Sequence, residues 1–273
     1  GFRRRSEQRQ AALETVWGHT ESLVNAEVTS LAVPTSCSVN WSELPPGLDP
    51  ADGELDEGRA ARKRAQVASL VTHTMSVMVE GARVVEFGAG SGHLGLLLAH
   101  LRPDAQLVLV EVKDYSVPVM RQRIEAFGIA NCRAFHGTVD DFAATEEPFD
   151  LAVGLHTCGL LADAVLALAV RRKAAACIVP CCYGQVATLK EDHHRGEGTS
   201  ADMHPCSVAL AAALGQEGRP LFPWCTKAAD FTAGRGGEFD ADSKGFRMAL
   251  RCMQTVDTDR LWWARERGYE GSL

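Results

Sequence analysis

The spacing of apolar positions changes near residue 80. Residues 59–79 place apolar side chains three and four positions apart, which predicts an amphipathic helix. After Gly81 come five short apolar or β-branched runs, at 83–87, 106–110, 132–136, 151–155 and 174–179, with helical stretches between most of them. Strands that alternate with helices in this way are typical of βαβ units. The pattern therefore predicts an α/β fold with a doubly wound, mostly parallel sheet and helices on both faces.

The rest of the chain is less regular. Residues 11–31 have the spacing of an amphipathic helix, and residues 41–58 are rich in Pro, Gly and Asp, which favour a connecting loop. Residues 246–256 are predicted to form a sixth strand, followed by a helix. Two Gly-rich polar stretches, 185–204 and 233–245, are predicted to be loops. We accordingly divide the chain into an N-terminal helical extension with linker, residues 1–58, and one α/β domain, residues 59–273.

A glycine-rich turn lies between the first predicted strand and the next helix. Gly90, Gly92 and Gly95 satisfy the G-x-G-x-x-G fingerprint, and Glu111 follows 21 residues after Gly90 at the end of the second strand. An ionised carboxylate at that place can accept hydrogen bonds from both hydroxyls of a ribose. This pattern alone is compatible with a dinucleotide or with S-adenosylmethionine.

The acidic residue before the glycines favours the second cofactor. Glu86 stands two positions before Gly88, where a carboxylate would repel a pyrophosphate but attract a sulfonium or amino cation. After the third strand, Asp140 is either a partner for the adenine amino group or part of a solvated acidic turn. The predicted S-adenosylmethionine-binding residues are Glu86, Phe87, Gly88, Ala89, Gly90, Gly92, Glu111, Asp140 and Leu155.

Two unusual segments follow strands four and five, LHTCG and VPCCYG. In open α/β sheets, ligands lie beyond the carboxyl ends of the strands, so we expect site residues here. His156 is either a general base for a hydroxyl or amine acceptor or a ring bonded to backbone. Cys158 with Cys181 or Cys182 is either a nucleophile for a pyrimidine carbon or a packing group.

The aromatic residue of the second segment and the possible metal ligands leave further alternatives open. Tyr183 could stack on a nucleic-acid base or cover the cofactor. A metal site would draw on Cys181, Cys182, His193, His194, His204 and Cys206. Adjacent cysteines are awkward paired ligands and C-x-x-C spacing is absent, so the sequence predicts no metal site.

Composition narrows the class of protein. With 46% hydrophobic and 23% charged residues the chain has ordinary globular usage, and its apolar runs are too short to span a membrane. Nine irregularly spaced cysteines and no visible export signal favour a reducing, cytoplasmic setting. A net charge of -7 argues against a generally basic surface. The local basic run Arg59, Arg62, Lys63 and Arg64 could still hold RNA phosphates, or be a solvated helix face.

Together, VVEFGAGSGHLG, LHTCG, VPCCYG and DTDRLWWARERGY resemble the methyltransferase-like domain of glutathione S-transferase C-terminal domain-containing proteins, over about residues 41–270. A more distant similarity is to a group of tRNA 2'-O-methyltransferases. The resemblance implies a Rossmann-like class I methyltransferase fold, S-adenosylmethionine as cofactor and a cytoplasmic setting. It also implies cofactor contacts for Glu86, Gly88, Gly90 and Glu111. The implied site-lining residues are His156, Cys158, Cys181, Cys182 and Tyr183.

The predicted function is therefore S-adenosylmethionine-dependent methyl transfer, with RNA as the leading acceptor. Two alternatives remain at this point: a non-catalytic module that only binds S-adenosylmethionine, and an NAD-dependent oxidoreductase.

Overall fold

A computed structural model describes residues 2–28, 39–53, 55–187, 204–230 and 243–273. Its described strands form a five-stranded sheet in the order β3-β2-β1-β4-β5, with every neighbouring pair parallel. The strands are β1 Arg83–Phe87, β2 Gln106–Glu111, β3 Cys132–His136, β4 Leu151–Leu155 and β5 Ala175–Val179. All five lie where the apolar runs predict them, which confirms the α/β fold.

Nine helices occur in the described residues: α1 Phe2–Glu27, α2 Glu57–Val77, α3 His93–Leu101, α4 Ser116–Ala126, α5 Val139–Ala144, α6 Leu160–Arg172, α7 Val208–Gly218, α8 Phe222–Ala229 and α9 Lys244–Arg265. Helix α2 begins at an N-cap, Asp56, whose side chain accepts the backbone N–H of Arg59 at 2.9 Å. None of the described helices has the length and apolarity needed to cross a bilayer.

The centre of the sheet explains why the apolar runs are continuous rather than alternating. Strand β4 is buried along its whole length, and β1 is buried from Val84 onward. Parallel strands covered on both faces require apolar residues at successive positions. Glu86 in β1 and Glu111 at the end of β2 are the acidic exceptions, with only 3% and 4% of their surfaces exposed.

The chain divides into two compact units. The sheet unit comprises residues 32–157 and 164–179, and the helical unit comprises residues 1–31, 158–163 and 180–273. In the helical unit, α1 packs against α7, α8 and α9. Its buried apolar core includes Leu13, Val16, Leu210, Leu214, Phe222 and Val256. No boundary between units falls at residue 58, because the N-terminal helix shares a core with the C-terminal helices.

The predicted sixth strand is wrong. Residues 246–256 lie inside helix α9, which begins after its N-cap Ser243. Ala249, Cys252 and Val256 are buried at spacings of three and four, so one helical face supplies the core contact. The two predicted Gly-rich loops fall mainly on residues 188–203 and 231–242, which lie outside the described residues.

Candidate cofactor site

The glycine turn connects β1 to α3 at the carboxyl edge of the sheet. Gly92, the N-cap of α3, has a φ of 82°, in the left-handed region that glycine adopts without strain. Gly88 and Ala89 donate their N–H groups to the carbonyl of Val110, at 2.9 and 3.1 Å. A side chain at Gly95 would overlap Leu109, so this glycine permits α3 to pack directly on β2. The turn is thereby tied to the end of the neighbouring strand.

Glu111 organises the turn through backbone hydrogen bonds. Its Oε2 accepts the N–H of Gly90 at 2.7 Å, while its Oε1 accepts the N–H groups of Val112 and Lys113, both at 2.9 Å. An ionised carboxylate offers about four lone-pair positions, so acceptor capacity remains. Glu111 therefore holds the turn in place and can still accept a hydroxyl.

Glu86, in β1, hydrogen-bonds to the start of helix α3, directly after the same turn. Its Oε2 accepts the N–H of Gly95 at 2.8 Å. Burial raises the pKa of Glu86 to about 8, the nearby carboxylate of Glu111 adds to that increase, and the hydrogen bond from Gly95 and the charge of Lys63 oppose it. The carboxyl group is therefore mostly protonated at neutral pH, and a cationic ligand group beside it would favour its ionised form.

The other predicted cofactor residues have different surroundings. Phe87 is fully buried, and its ring packs edge-on against Phe142 at 5.6 Å, so its side chain is part of the core. Leu155 is buried at the end of β4. Helix α5 is capped by a reciprocal pair, Thr138 and Asp141. Asp140 is half-buried in the first turn of α5 and takes no part in that capping pair, so its adenine contact stays a prediction.

His156 leaves β4 in a left-handed backbone conformation, with a φ of 64°. Its N–H donates to the carbonyl of Val179 at 2.9 Å, which continues the β4–β5 pairing by one residue. The ring is exposed, and Nε2 lies 3.1 Å from Oε1 of Gln66 on α2. Since an amide oxygen only accepts, Nε2 carries the hydrogen and Nδ1 is left as the basic nitrogen. Partial burial and the charge of Lys63 lower the pKa of His156, so the neutral ring predominates at pH 7.

The predicted basic run on α2 is not uniform. Arg59 and Arg62 are exposed, and Lys63 is half-buried. Arg64 instead forms two hydrogen bonds with the buried carboxylate of Asp49, one of them at 2.7 Å. Arg64 therefore fastens the preceding loop to α2, and contact between this basic run and RNA phosphates stays a prediction.

The three predicted cysteines come together in the helical unit. The Sγ of Cys158 lies 2.9 Å from that of Cys181 and 3.4 Å from that of Cys182, and the last two are 3.5 Å apart. Mutual hydrogen bonding and burial raise the pKa of Cys181, and burial together with Cys158 raises that of Cys182. The N–H of Gly159 donates to the carbonyl of Cys182 at 2.9 Å, which joins the two segments.

Tyr183 is a core residue of the helical unit. Its ring is 1% exposed, its hydroxyl donates to Asp257 at 2.7 Å, and the guanidinium of Arg260 lies 5.6 Å from the ring centroid. A nucleic-acid base could stack on this ring only if the helical unit opened. The proposed stacking platform is therefore corrected to a packing role in this conformation.

A buried ionic network accompanies Tyr183 and was not predicted from the sequence. Arg260 forms two hydrogen bonds of 2.9 Å with Asp163 and one of 3.1 Å with Asp257. The ring of His204 lies between two carboxylates, with Nε2 2.9 Å from Asp163 and Nδ1 2.6 Å from Asp259. The sequence singles out only Tyr183 and His204, because every contact named here except that of Arg260 with Asp257 joins residues 41 or more positions apart.

Part of the sequence is similar to known proteins. Residues 62–189 match the model of a family described as a methyltransferase domain. The chain is 29% identical to the glutathione S-transferase C-terminal domain-containing protein of Xenopus laevis, over 86% of this chain and 35% of that protein. It is 35% identical to ribosomal RNA small subunit methyltransferase G of Yersinia enterocolitica over 92 residues, which are 32% of this chain and 44% of that protein. A SAM-dependent methyltransferase from Aquifex aeolicus superposes with a TM-score of 0.36 at 13% identity, over 48% of this chain and 75% of that one.

The match over residues 62–189 agrees with the predicted methyltransferase domain, and S-adenosylmethionine stays the predicted cofactor. The chain spans about a third of the length of the first relatives it matches.

Proposed function

We propose that this chain, whose residues 62–189 match the model of a methyltransferase domain, transfers a methyl group from S-adenosylmethionine to a hydroxyl or amine of RNA in the cytoplasm. The proposal rests chiefly on one arrangement. Two buried carboxyl groups, those of Glu86 and Glu111, accept backbone N–H groups of the glycine-rich segment between β1 and α3. Strand β4 is paired with β1, so His156 leaves the sheet at the same edge as the turn.

The residues at the turn fit this cofactor. Glu111 keeps acceptor capacity for a ribose hydroxyl, and Gly90 has no atom within 4 Å of where a side chain would begin, which leaves room for close approach. Glu86 supplies a buried carboxyl group that a cationic group would ionise. When bound, the cofactor provides an electrophilic methyl group on a positively charged sulfur.

The acceptor chemistry is assigned to His156. Its neutral ring presents an unprotonated Nδ1, which can take the proton from an acceptor hydroxyl or amine as the methyl group is transferred. Gln66 fixes the opposite nitrogen, as an orienting group does for a general base. The other contribution of the protein is alignment of the reacting atoms.

RNA is proposed as the acceptor because cations of helix α2 lie near the carboxyl edge of the sheet. The charge of Lys63 on α2 acts on both Glu86 and His156, so this helix borders the proposed site. Exposed Arg59 and Arg62 lie on the same helix, and cations so placed can contact phosphates beside an acceptor nucleotide. The relative named as a ribosomal RNA methyltransferase supports the same class of acceptor.

The direct test is transfer of a tritiated methyl group to separated RNA and protein fractions, together with calorimetry of cofactor binding. Label in RNA that disappears after nuclease treatment is the expected result. Label confined to protein would overturn the RNA acceptor. Cofactor binding without label in either fraction would favour a binding module, and tight NAD binding without S-adenosylmethionine binding would contradict the cofactor assignment.

Replacement of His156 by asparagine should reduce kcat about 100-fold while leaving cofactor affinity unchanged, because a general base contributes roughly 10²–10⁴-fold. Asparagine tolerates the left-handed backbone at this position, so the change removes the base without adding strain. The wild-type rate should fall as the pH drops through the lowered pKa of His156, since the protonated ring cannot accept a proton. A variant with unaltered kcat and the same acid limb would remove His156 from the reaction.

The double substitution Arg59→Ala/Arg62→Ala should weaken RNA binding and reduce the slope of log affinity against log salt by about 1–2, as expected for two lost phosphate contacts. Exposed Arg5 and Arg9 on α1 provide a control with the same change of charge. Filter binding across a salt series measures both slopes. Equal losses in the two double variants would show that total charge, not the α2 surface, governs the affinity.

A further inference from the structure

The three-cysteine cluster, Cys158, Cys181 and Cys182, is built on fixed backbone. Cys158 precedes α6, and the adjacent pair follows β5 and Pro180. The peptide groups around it are held on several sides: Gly159 donates to the carbonyl of Cys182, and Arg260 donates to the carbonyl of Gly159 at 3.2 Å. The three sulfurs are therefore placed by the fold rather than by chance contacts of flexible side chains.

The sulfur triangle has the dimensions of a metal site. Its sides are 2.9, 3.4 and 3.5 Å. In a tetrahedral zinc site, bonds of about 2.3 Å separate neighbouring thiolate sulfurs by about 3.8 Å. The triangle needs to widen by only a few tenths of an ångström on two sides and by about 0.9 Å on the third. All three cysteines are half-buried, so solvent ions can reach them.

We propose that Cys158, Cys181 and Cys182 form a three-thiolate site for Zn²⁺, with a fourth coordination position left for water or another small ligand. On binding, the ion replaces three thiol protons, which pass to solvent, and no electron is transferred. Thiolate is the ligand type that retains soft or borderline ions such as Zn²⁺ and Cu(I). This assignment goes beyond methyl transfer and does not depend on it.

The neighbouring cluster His204, Cys206 and Asp259 is a weaker candidate. Both ring nitrogens of His204 are already hydrogen-bonded to carboxylates, so neither lone pair is available to an ion without breaking a buried ion pair. The Sγ atoms of the three-cysteine cluster hydrogen-bond to one another, and a metal ion would replace those weak contacts with coordinate bonds. Of the two clusters, the three cysteines are therefore the better candidate for a metal site.

The test is titration of the reduced, metal-free full chain with Co²⁺ under anaerobic conditions, followed by Zn²⁺. Co²⁺ should produce thiolate-to-cobalt charge-transfer absorption and the visible bands of a tetrahedral site, saturating at one ion per chain. Zn²⁺ should abolish this spectrum, and native thiol counting should then show three fewer reactive cysteines.

Single Cys→Ser changes at each of the three positions should weaken Zn²⁺ binding about 100-fold or more in chelator competition, whereas Cys177→Ser should not. Cys177 is a suitable control because it is also half-buried and lies on β5, close in sequence to the pair. Absence of the cobalt spectrum in the reduced wild-type chain would overturn the proposal, without any variant having to fold. Equal metal uptake by wild type and the three variants, or a disulfide that forms in preference to metal binding, would overturn it as well.

Discussion

Replacing Glu86 by glutamine should weaken S-adenosylmethionine binding by about 100-fold or more while stabilising the ligand-free protein. The loss follows from removal of a buried negative charge opposite a cationic ligand, which costs roughly 2–5 kcal/mol in desolvated pairs. The gain follows from linkage: the folded carboxyl group has a pKa of about 8, whereas in the unfolded chain it returns to about 4.5.

The sign of the stability effect can be stated for each pH range. Between those two pKa values the folded state binds a proton that the unfolded state has released, so stability falls as the pH rises from about 4.5 to about 8. Glutamine has no such proton. At pH 7 the gain is therefore at most about 3.5 kcal/mol, because the difference grows by about 1.4 kcal/mol per pH unit between pH 4.5 and pH 7.

Calorimetry and thermal unfolding across pH 5 to 9 measure both effects. Wild-type affinity should rise with pH and level off above about 8, because the cation favours the ionised form of Glu86, and the variant should show no such rise. Glu111→Gln is the informative comparison, since Glu111 accepts three backbone N–H groups and its loss should reduce stability and affinity together. Undiminished affinity in Glu86→Gln would contradict the assignment of this carboxyl group.

Replacing Arg260 by methionine should destabilise the helical unit by about 3–5 kcal/mol, the usual effect of removing one partner from a buried ion pair. The side chain is 7% exposed, and Asp163, its partner in two hydrogen bonds, is 9% exposed. Without the guanidinium, Asp163 and Asp257 both lose the positive charge that offsets their own negative charges. Chemical denaturation followed by near-ultraviolet circular dichroism measures the loss.

Two further variants separate charge from packing. Arg251→Met lies on the exposed side of the same helix, with its guanidinium over Trp17, and should change stability by no more than about 1 kcal/mol. Asp163→Leu combined with Arg260→Met should recover part of the single-variant loss, because the carboxylate that accepts two of the arginine's hydrogen bonds is then removed as well. A loss of the same size in Arg251→Met would show that the ionic contacts of Arg260 are not responsible.

The same network limits stability at both ends of the pH scale. Burial opposes ionisation of Asp163, but Arg260 and His204 more than offset it and lower the pKa of Asp163. Its contribution is therefore lost on acidification. Burial likewise opposes protonation of His204, but Asp163 and Asp259 raise its pKa well above the ordinary value, so its contribution is lost as the pH rises through that raised pKa.

The strands of the sheet could be predicted because each one is indicated by residues that are close together in the sequence. Each of the five strands lies on a short, mainly apolar or β-branched run, and the glycines of the turn mark the place where β1 ends and α3 begins. Residues 246–256 were assigned wrongly because apolar content was weighed above spacing. The buried positions Ala249, Cys252 and Val256 already show a helical period.

The candidate sites were predictable only in part, because their geometry depends on contacts distant in sequence. Cys158 lies 23 positions before Cys181, outside any C-x-x-C motif, so the spacing of the cysteines does not indicate that their three sulfurs lie together. The pairing of Arg64 with Asp49 depends on a loop that folds back over 15 residues. Neither contact leaves a periodic pattern in the sequence.

The division of the chain into units also bears on its biosynthesis. The ribosome makes α1 before nearly the whole sheet unit and makes α7, α8 and α9 after it, yet α1 packs on these three helices, and Glu27 pairs with Arg265 across 238 positions. A nascent chain that has reached residue 179 contains every described strand but none of the surface that covers α1. During translation the apolar side of α1 therefore stays uncovered until α7, α8 and α9 have been made. Chaperones can bind it in that interval.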